Sequence, residues 1–204
     1  MLAIDGAEVR VVVRQPNYRR GERAPACALV FGEVADGALV RIHSRCLYGD
    51  VFGSQECDCA GQLHHAMELM RRRGGVLIYL DQEGRGAGLF AKARAYRMRQ
   101  ERGLDSFRSY EHYGYEPDPR RYTIAAELLE DLKLERVTLL TNNPDKVAGL
   151  EAHGIAVDRQ PLVVPVSERA VPYLESKRAR GHQFDAIPQL ETQLGARPQA
   201  QPSG

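Results

Sequence analysis

The stretch RIHSRCLYGDVFGSQECDCAGQ, residues 41–62, is the most informative part of the sequence, because it holds three of the four cysteines. Cys46, Cys57 and Cys59 lie within fourteen residues, and a Cys-x-Cys pair can close on one metal ion without long-range folding. The spacing differs from that of zinc-finger and treble-clef modules, which use two Cys-x2-Cys knuckles or a cysteine pair and a histidine pair. The stretch therefore predicts a zinc site of another kind.

Two kinds of zinc site fit this spacing. A structural site needs a fourth ligand, for which His43, His64 and His65 are the candidates. Without that ligand the ion keeps three thiolates and an open position, which is the arrangement that activates water. A helix predicted from about Ala60 has an apolar stripe at helical spacing, formed by Leu63, Ala66, Met67 and Met70. His64 points away from that stripe, and a solvated helix face accounts for both histidines, which favours the open site.

Composition excludes several classes of protein. The chain has 204 residues, of which 43% are hydrophobic and 27% charged, the size and balance of an ordinary soluble protein. A net charge of +1 gives no overall attraction to nucleic acid or to an anionic membrane, so phosphate must be bound by local clusters. No apolar run reaches the length of a signal peptide or a membrane span. We therefore expect a cytoplasmic protein with reduced thiols, no membrane and no nucleic-acid partner.

The order of strand and helix patterns predicts an α/β (mixed α+β) fold. Residues 9–14, 26–34 and 38–43 read as strands, and VLIYL at 76–80 reads as a buried strand after a helix that RRRGG closes at 71–75. Cys27, within the apolar run ACALVFG, is expected to be a small core residue. We expect one catalytic domain over residues 1–182 and, because ARPQAQPSG lacks periodicity, a disordered tail over residues 183–204.

A second informative stretch, QEGRGAGLFAKARAYRMRQ, follows the buried strand at residues 82–100. Its glycines at 84, 86 and 88 would let backbone N–H groups approach an anion at a helix N-terminus. The pattern is not G-x-G-x-x-G, and a flexible connection explains the glycines equally well. The neighbouring side chains favour a phosphate site, since Arg85, Lys92 and Arg94 are cations and Glu83 can accept from a base or sugar edge. Tyr96 is either a packing residue or a phenolic donor.

Two further segments lie beyond this helix. Residues 103–122 read as a long loop, a kind of segment that often carries function. Asp118 at its end is either the N-cap of the next helix, with Pro119 at its first position, or half of a functional pair with Arg120.

The last block, RVTLLTNNPDKVAGLEAHGIAV at 136–157, reads as strand, helix and strand. Asn143 is expected to cap the helix, with Pro144 at its first position and Gly154 at its end. Thr141 and Lys146 are expected to face the crevice in which open α/β sheets bind ligands.

Taken together, these blocks resemble GTP cyclohydrolase II, the enzyme that opens the imidazole ring of GTP at the entry to riboflavin synthesis. RIHSRCLYGDVFGSQECDC, QEGRGAGLFAKARAY, the D-x-R at 118–120 and LLTNNPDKVAGLEAHGI occur in the family's order and approximate spacing, over roughly residues 10–180. The resemblance implies zinc bound by Cys46, Cys57 and Cys59, whose bound water attacks C8 of the purine. Formate and pyrophosphate are released, with Mg²⁺ on the triphosphate, and the active form is a homodimer.

The resemblance also implies roles for individual residues. Arg120 matches the proposed nucleophile at the α-phosphorus and Asp118 its proton acceptor, although a guanidinium is charged at ordinary pH, so charge stabilisation by Arg120 stays open. Tyr96 matches a tyrosine near the metal, a donor to the ring-opening intermediate. The nucleotide contacts fall on Arg41, Ile42, His43, Ser44, Arg45, Gln62, Glu83, Gly84, Arg85, Ser106, Thr141 and Lys146.

Several positions depart from the family pattern. The family usually has HSECLTGD, so Arg45 replaces an acid and Tyr48 a threonine, and Arg108 stands where a glutamate is usual. Leu80 and Asp81 precede QEGR where a His-Arg pair is common. Such reversals alter the charge around a nucleotide pocket. They leave open a divergent paralogue that acts on another purine nucleotide or stops at a formylated product.

A different class of protein also has to be weighed. A structural zinc could support a non-enzymatic module that binds nucleotides or nucleic acid, with RRR at 71–73 as its cationic patch. A charge run at a helix end is usually solvated surface, and the chain has neither a strong net charge nor an aromatic RNA-binding motif. The separate Asp118, Arg120 and Lys146 blocks favour the enzyme.

Overall fold

One mixed sheet of seven strands runs through the computed structural model, which describes residues 1–16 and 25–183. In chain order the strands are β1 (Leu2–Ile4), β2 (Ala7–Arg14), β3 (Ala26–Phe31), β4 (Ala38–Ser44), β5 (Gly75–Leu80), β6 (Arg136–Leu140) and β7 (Ala156–Gln160). Their order across the sheet is β1-β2-β3-β5-β4-β6-β7. The neighbouring pairs β1–β2, β2–β3 and β3–β5 are antiparallel. The pairs β5–β4, β4–β6 and β6–β7 are parallel.

Helices cover both faces of this sheet. They are α1 (Cys59–Arg73), α2 (Leu89–Arg102), α3 (Ser106–His112), α4 (Thr123–Asp131), α5 (Pro144–Glu151) and α6 (Val171–Ala179). A π-helical turn spans Leu47–Val51, and 3₁₀ turns span Glu83–Gly86 and Glu168–Ala170. Over the two described ranges, none of the helices combines the length and apolarity needed to cross a lipid bilayer.

The core consists of two apolar layers, one on each face of the sheet. On one face Val40, Ile42 and Ile78 pack with Leu128 and Leu129 of α4. The other face packs against α1, through its buried Ala66 and Met70. The central strands are apolar on both faces, as parallel strands covered by helices must be. The structure thus confirms a single mixed α/β domain.

The parallel strands decide where a site can form. β4, β5 and β6 end at Ser44, Leu80 and Leu140, at the same edge of the sheet. The π-helical turn, the 3₁₀ turn at Glu83–Gly86 and the start of α5 all follow these ends. In open α/β sheets this carboxyl edge is where ligands bind.

Local sequence signals set several helix ends as predicted. α1 begins at Cys59, next to the expected Ala60, and ends before Gly74, whose positive φ of 77° favours glycine. The Asn143 side chain accepts a hydrogen bond from Asp145 N at 3.0 Å, with Pro144 opening α5. These predictions are confirmed.

The predicted loop over residues 103–122 is wrong in its middle. α3 forms there, and the Asp105 carboxylate caps it by accepting from Phe107 N at 2.8 Å and from Arg108 N at 3.0 Å. The sequence SFRSYEH lacks a clear apolar stripe, so its helix depends on packing against α2 through Tyr110.

Three smaller expectations also need correction. α4 begins at Thr123 after Tyr122, so Asp118 lies too far upstream to cap it. β3 ends at Phe31, before Val34. Cys27 is half-buried in β3 and lies outside the core layers. The predicted tail lies outside the described residues except for Gln183, whose N–H donates to Asn142 O at 2.7 Å.

Candidate functional site

The three clustered cysteines meet at the carboxyl edge of the sheet. Cys46 follows β4, Cys57 lies in the loop after the π-helical turn, and Cys59 opens α1. Their sulfur atoms lie within 4.8 Å of one another, and the Sγ atoms of Cys46 and Cys57 are 3.9 Å apart. Three thiols this close form a ligand set that suits zinc.

The three candidate histidines do not join this cluster. His64 and His65 are exposed on α1, as the stripe of that helix predicts. His43 is buried, with Nε2 3.1 Å from Asp50 Oδ2. Within residues 1–16 and 25–183, the cysteines form the one group of three or more His, Cys, Asp or Glu residues with metal-binding geometry.

Gly49 leaves room at the cysteine cluster. A Cβ at this position would lie 3.0 Å from Cys57 Sγ, 3.2 Å from Cys59 Cβ and 3.3 Å from Cys46 Sγ. The Gly49 N–H also points at the cluster and donates to Cys46 Sγ at 3.4 Å. The absence of a side chain at this one position keeps all three sulfurs accessible to an ion.

The thiols share their charge unequally. Hydrogen bonds with Cys57 and Cys59 lower the pKa of Cys46 below its ordinary value, and the Lys92 ammonium 3.2 Å away adds to this effect. Hydrogen bonding to Cys46 in turn raises the pKa of Cys57 to about 12. A bound divalent ion would favour the charged form of each sulfur and so allow all three to be thiolates.

A buried ion pair supports the cluster from the side of α2. Lys92 Nζ donates to Glu83 Oε1 at 2.8 Å as well as to Cys46 Sγ. The other Glu83 oxygen accepts from Leu47 N at 2.6 Å. Glu83, predicted as a nucleotide contact, therefore has both carboxylate oxygens engaged by the protein, and Lys92 serves the sulfurs in this structure.

A cleft with about 1130 Å³ of empty volume, part of it open to solvent, lies beside the cysteines. Most of the predicted site residues line it: Arg41, His43, Ser44, Arg45, Cys46, Cys57, Cys59, Gln62, Glu83, Gly84, Arg85, Tyr96, Ser106, Arg120, Thr141 and Lys146. Ile42 lies in the core instead, where its backbone oxygen accepts from Lys146 Nζ at 2.8 Å. Asp118 does not line the cleft and reaches it through Arg120.

Polar atoms without partners concentrate in this cleft. Over the described part of the chain, six buried side-chain nitrogen or oxygen atoms lack a hydrogen-bond partner. Five of the six belong to cleft-lining residues: Arg41 Nε, His43 Nδ1, Ser44 Oγ, Arg85 Nη1 and His182 Nδ1. Buried polar groups are normally paired, so this concentration indicates a site shaped for a polar ligand.

The base of the cleft is built by a buried relay from β4 to α1. Arg41 donates from Nη1 to Leu140 O at 2.9 Å and from Nη2 to Gln62 Oε1 at 2.6 Å. Gln62 Nε2 in turn donates to Asp58 Oδ2 at 2.8 Å. Burial lowers the pKa of Arg41 to about 10, so this guanidinium still carries its charge at neutral pH.

Arg120 and Asp118 form a two-point ion pair at the cleft wall. Arg120 Nε donates to Asp118 Oδ1 at 2.7 Å, and its Nη2 donates to Asp118 Oδ2. Burial opposes the guanidinium charge, but Tyr122 and Asp118 outweigh it and hold the pKa of Arg120 above its ordinary value. Nearby, burial and the surrounding cations lower the pKa of Lys146.

The glycine-rich turn aims Arg85 into the cleft. Gly84 and Arg85 both adopt the left-handed conformation, with φ of 56°. The Arg85 guanidinium stacks 3.5 Å from the ring centroid of Phe107, and Nη2 donates to Ser106 Oγ at 2.8 Å. A non-glycine residue at positive φ costs free energy, so the surrounding contacts must hold Arg85 in this conformation. Arg94, the other candidate phosphate ligand, lies outside the cleft between Phe90 and Tyr113.

Tyr96 lines the cleft near the cysteines. Its ring packs edge-on against Tyr48, with 5.1 Å between centroids. Burial, and then the nearby Cys57, raise the pKa of Tyr96 above its ordinary value. The phenol therefore keeps its proton and is available as a donor.

Two departures from the family pattern compensate each other. Arg45 Nη1 lies 2.8 Å from Asp81 Oδ1 at the cleft rim. In the family pattern that the sequence resembles, position 45 is an acid and position 81 an arginine, so this chain carries the two charges of its ion pair in the opposite order. The charge around the cleft changes less than either substitution alone would suggest.

Sequence reasoning missed the contribution of residues 171–183. Tyr173, Lys177 and His182 line the cleft, and Lys177 Nζ donates to Asp58 Oδ1 at 2.6 Å. Asp50 was also missed, although it holds His43 and accepts from Cys46 N at 3.0 Å and from the Tyr79 hydroxyl at 3.0 Å. Tyr173, Lys177 and His182 stand in no glycine-rich or cysteine-rich pattern, whereas Asp50 lies within the cysteine-rich stretch itself, where no local signal distinguishes its role.

The cationic run at residues 71–73 behaves as solvated surface. Its three arginines are exposed, and two of them pair with Asp5 and Glu68. The cations that converge do so in the cleft, which suits a small anionic ligand better than a nucleic-acid strand.

Comparison with known proteins gives one consistent result. The family model described as GTP cyclohydrolase II matches residues 9–161. The riboflavin biosynthesis protein RibBA of Bacillus mycoides is 49% identical over 160 residues, which cover 76% of this chain and 40% of that protein. RibBA of Bacillus cereus is 49% identical over 154 residues, covering 74% and 38% respectively. RibBA of Bacillus velezensis is 48% identical over 161 residues, covering 76% and 40%. The chain spans about two-fifths of the length of these curated relatives.

Proposed function

The chain belongs to the GTP cyclohydrolase II family of hydrolases, and from this premise we propose that it hydrolyses the imidazole ring of GTP at C8. The products would be formate, pyrophosphate and 2,5-diamino-6-(5-phosphoribosylamino)pyrimidin-4(3H)-one. The observation that carries the proposal is the position of the three thiols beside a cleft that is lined by cations and holds five buried side-chain atoms without a hydrogen-bond partner. Neither a structural zinc site nor a simple fold-stabilising core requires such a cleft.

Cys46, Cys57 and Cys59 would hold a zinc ion. The donor set fits zinc, and the missing side chain at Gly49 gives the ion space. When bound, zinc supplies Lewis-acid activation of water at neutral pH. Lys92 contributes from the protein side, because its hydrogen bond to Cys46 offsets part of the sulfur charge.

The cations of the cleft would hold the triphosphate, accompanied by Mg²⁺. Arg85 offers an unpartnered Nη1, while Lys146 and Arg120 approach from α5 and from the segment before α4. Three cations from separate elements can surround one phosphate chain. The nucleoside would then lie toward the cysteines, next to Tyr96 and the buried Arg41–Gln62 pair.

For pyrophosphate release we propose that Arg120 acts as a fixed cation. Its bidentate pair with Asp118 and its raised pKa keep the guanidinium charged. A charged guanidinium stabilises the charge that develops on a phosphoryl group but is a poor nucleophile. Water would then attack the α-phosphorus as pyrophosphate leaves, and Asp118 orients Arg120 by accepting its hydrogen bonds.

Tyr96 would donate its proton to the opening ring. Its raised pKa keeps the hydroxyl protonated at neutral pH, and it lies on the cysteine side of the cleft. A positioned donor at a leaving nitrogen is a common form of general acid catalysis.

GTP is the proposed substrate over other purine nucleotides. The exchanged Arg45–Asp81 pair preserves an ion pair at the rim, so this departure gives no reason to expect another base. From the family resemblance we further propose a cytoplasmic homodimer whose catalytic domain covers residues 1–182.

The proposal is tested by incubating the zinc-loaded protein with GTP and Mg²⁺ and analysing the products by mass spectrometry. We expect equimolar formate and pyrophosphate and a diaminopyrimidine absorbance. The Cys57→Ser variant should lose zinc and ring opening while keeping its circular dichroism spectrum. Unchanged GTP after long incubation would refute the activity, and a formylated nucleotide or turnover of another purine alone would favour the divergent paralogue. Unfolding of Cys57→Ser on metal loss would show a structural zinc.

A further inference from the structure

Residues beyond the family match close one side of the cleft. The match ends at residue 161, whereas α6 and the residues after it contribute Tyr173, Lys177 and His182 to the lining. Lys177 ties this segment to Asp58 at 2.6 Å, and the Gln183 N–H ties it to Asn142 O at 2.7 Å. His182 is therefore held between two anchors, one on the cysteine loop and one at the end of β6.

The His182 ring has an unused polar atom at this position. Nδ1 is buried and has no hydrogen-bond partner within the described residues. A histidine that serves only to pack or to brace the segment would be expected to pair that nitrogen with a carbonyl or a carboxylate. The free nitrogen instead belongs to a residue that lines the cleft.

Cations from four parts of the chain face His182. They are Lys177 on α6, Arg120 before α4, Lys146 on α5 and Arg85 on the glycine-rich turn. Burial first, and then these four charges, lower the pKa of His182 to about 3. The imidazole is therefore neutral, and it presents one N–H donor and one acceptor among positive groups.

We propose that His182 is a further positioning residue for the substrate, whose ring donates an N–H hydrogen bond to the anionic phosphate chain held by Arg85, Arg120 and Lys146. A hydrogen bond from the neutral imidazole would fix the orientation of the phosphate chain, whereas the neighbouring cations supply the charge that attracts it. The inference rests on the proposed function in its choice of a polyphosphate as the ligand.

A bound polyphosphate would also change the ring itself. Its negative charges would offset the four cations that disfavour a second proton on His182, so the pKa of His182 rises when the phosphate binds. This rise is expected if the phosphate chain binds among the four cations beside His182, and the substitutions below test whether the ring also donates a hydrogen bond to it. NMR titration of the ring resonances, with and without inorganic triphosphate, measures this shift directly.

Two substitutions separate the donor from the shape of the ring. His182→Phe keeps an aromatic ring without N–H, and His182→Gln keeps an N–H donor without the ring. One hydrogen bond to a charged group is worth about 10-fold to 100-fold in affinity. We expect His182→Phe to weaken binding of inorganic triphosphate by about 10-fold or more and to raise KM for GTP more than it lowers kcat. His182→Gln should recover part of the triphosphate affinity and part of the change in KM. Guanosine, which has no phosphate, should bind equally to wild type and to both variants.

Calorimetry on the zinc-loaded, full-length chain decides the matter, with exposed His153→Gln as the matched control. Equal triphosphate affinity for wild type and His182→Phe would overturn the inference, as would a ring pKa that triphosphate leaves unchanged. If GTP yields no formate while triphosphate binding still depends on His182, the proposed function fails and the inference stands. If formate is released but His182→Phe behaves as wild type, the proposed function stands and the inference about His182 fails.

Discussion

At the scale of single residues, Gly49 leaves space at the proposed metal site because it has no side chain. Its Cα faces three sulfur-bearing residues, so that even a methyl group would lie 3.0 Å from Cys57 Sγ. Neither the cysteine loop nor the first turn of α1 can easily retreat, because Gln62 and Asp58 tie them together.

We predict that Gly49→Ala lowers zinc affinity by about 10-fold to 100-fold, the range seen when groups that support metal ligands are altered. The added methyl would occupy space that the sulfurs need in order to converge. Competition with a chromogenic chelator measures the affinity. The control is Ala60→Gly, which alters the residue after Cys59 without adding volume. Gly53→Ala is unsuitable as a control because Gly53 has φ of 68°, where any side chain is strained. Zinc affinity equal to that of wild type would show that the sulfurs do not meet around an ion here.

Substitutions of Arg120 can distinguish its role as a fixed cation from a role as a nucleophile. If it acts as a fixed cation, Arg120→Lys keeps the charge and loses only the two-point pairing with Asp118. We predict that pyrophosphate release slows by about 10-fold to 100-fold in Arg120→Lys and by about 1000-fold in Arg120→Gln. A phosphorus assay or chromatography of the products gives both rates. Equal loss in the two variants, or a nucleotide adduct on wild-type Arg120 in intact-protein mass spectra, would contradict the role as a fixed cation.

At the scale of elements, the contact between α6 and the start of α1 braces the cysteine loop. Asp58, between Cys57 and Cys59, has a side chain only 3% exposed, and it pairs with Lys177, which is 14% exposed. Burial alone would raise the pKa of Asp58, but Lys177 outweighs it and holds that pKa below its ordinary value. The pair therefore keeps a buried carboxylate ionised between Cys57 and Cys59, the candidate metal ligands.

We predict that Lys177→Met destabilises the protein by about 3–5 kcal/mol, because it leaves a buried carboxylate without its cation. The Asp58→Asn, Lys177→Met double variant should recover most of this loss, since an amide still accepts from Gln62 and carries no charge. Urea unfolding of the zinc-loaded proteins gives the free energies. Should the double variant be no more stable than the single one, the loss would come from packing of α6 and not from the unpaired charge.

At the scale of the whole molecule, sequence reasoning predicted the fold class and several local features, but not the elements that depend on tertiary packing. The Cys-x-Cys pair and the capped start of α5 at Asn143 are local signals, and the structure places both as expected. α3 and the position of α6 depend on tertiary packing, which overrides weak local propensity. The sequence shows separately that Arg45 and Asp81 depart from the pattern of the family that it resembles. Only the fold shows that the two residues form one ion pair.

The pH dependence of folding follows from the cationic cleft. His182 has a folded-state pKa lowered to about 3, whereas an unfolded chain gives histidine a pKa of about 6.5. Between these values the unfolded chain binds one more proton, so folding stability falls as the pH drops below about 6.5. We predict that His182→Gln flattens the decline in urea midpoint between about pH 6.5 and about pH 4.5, while His153→Gln leaves the decline unchanged. Saturating inorganic triphosphate should flatten it in wild type as well, because the phosphate charges raise the pKa of the folded-state ring toward its unfolded value. An identical decline in wild type and His182→Gln would show that His182 does not lie in the field of those cations.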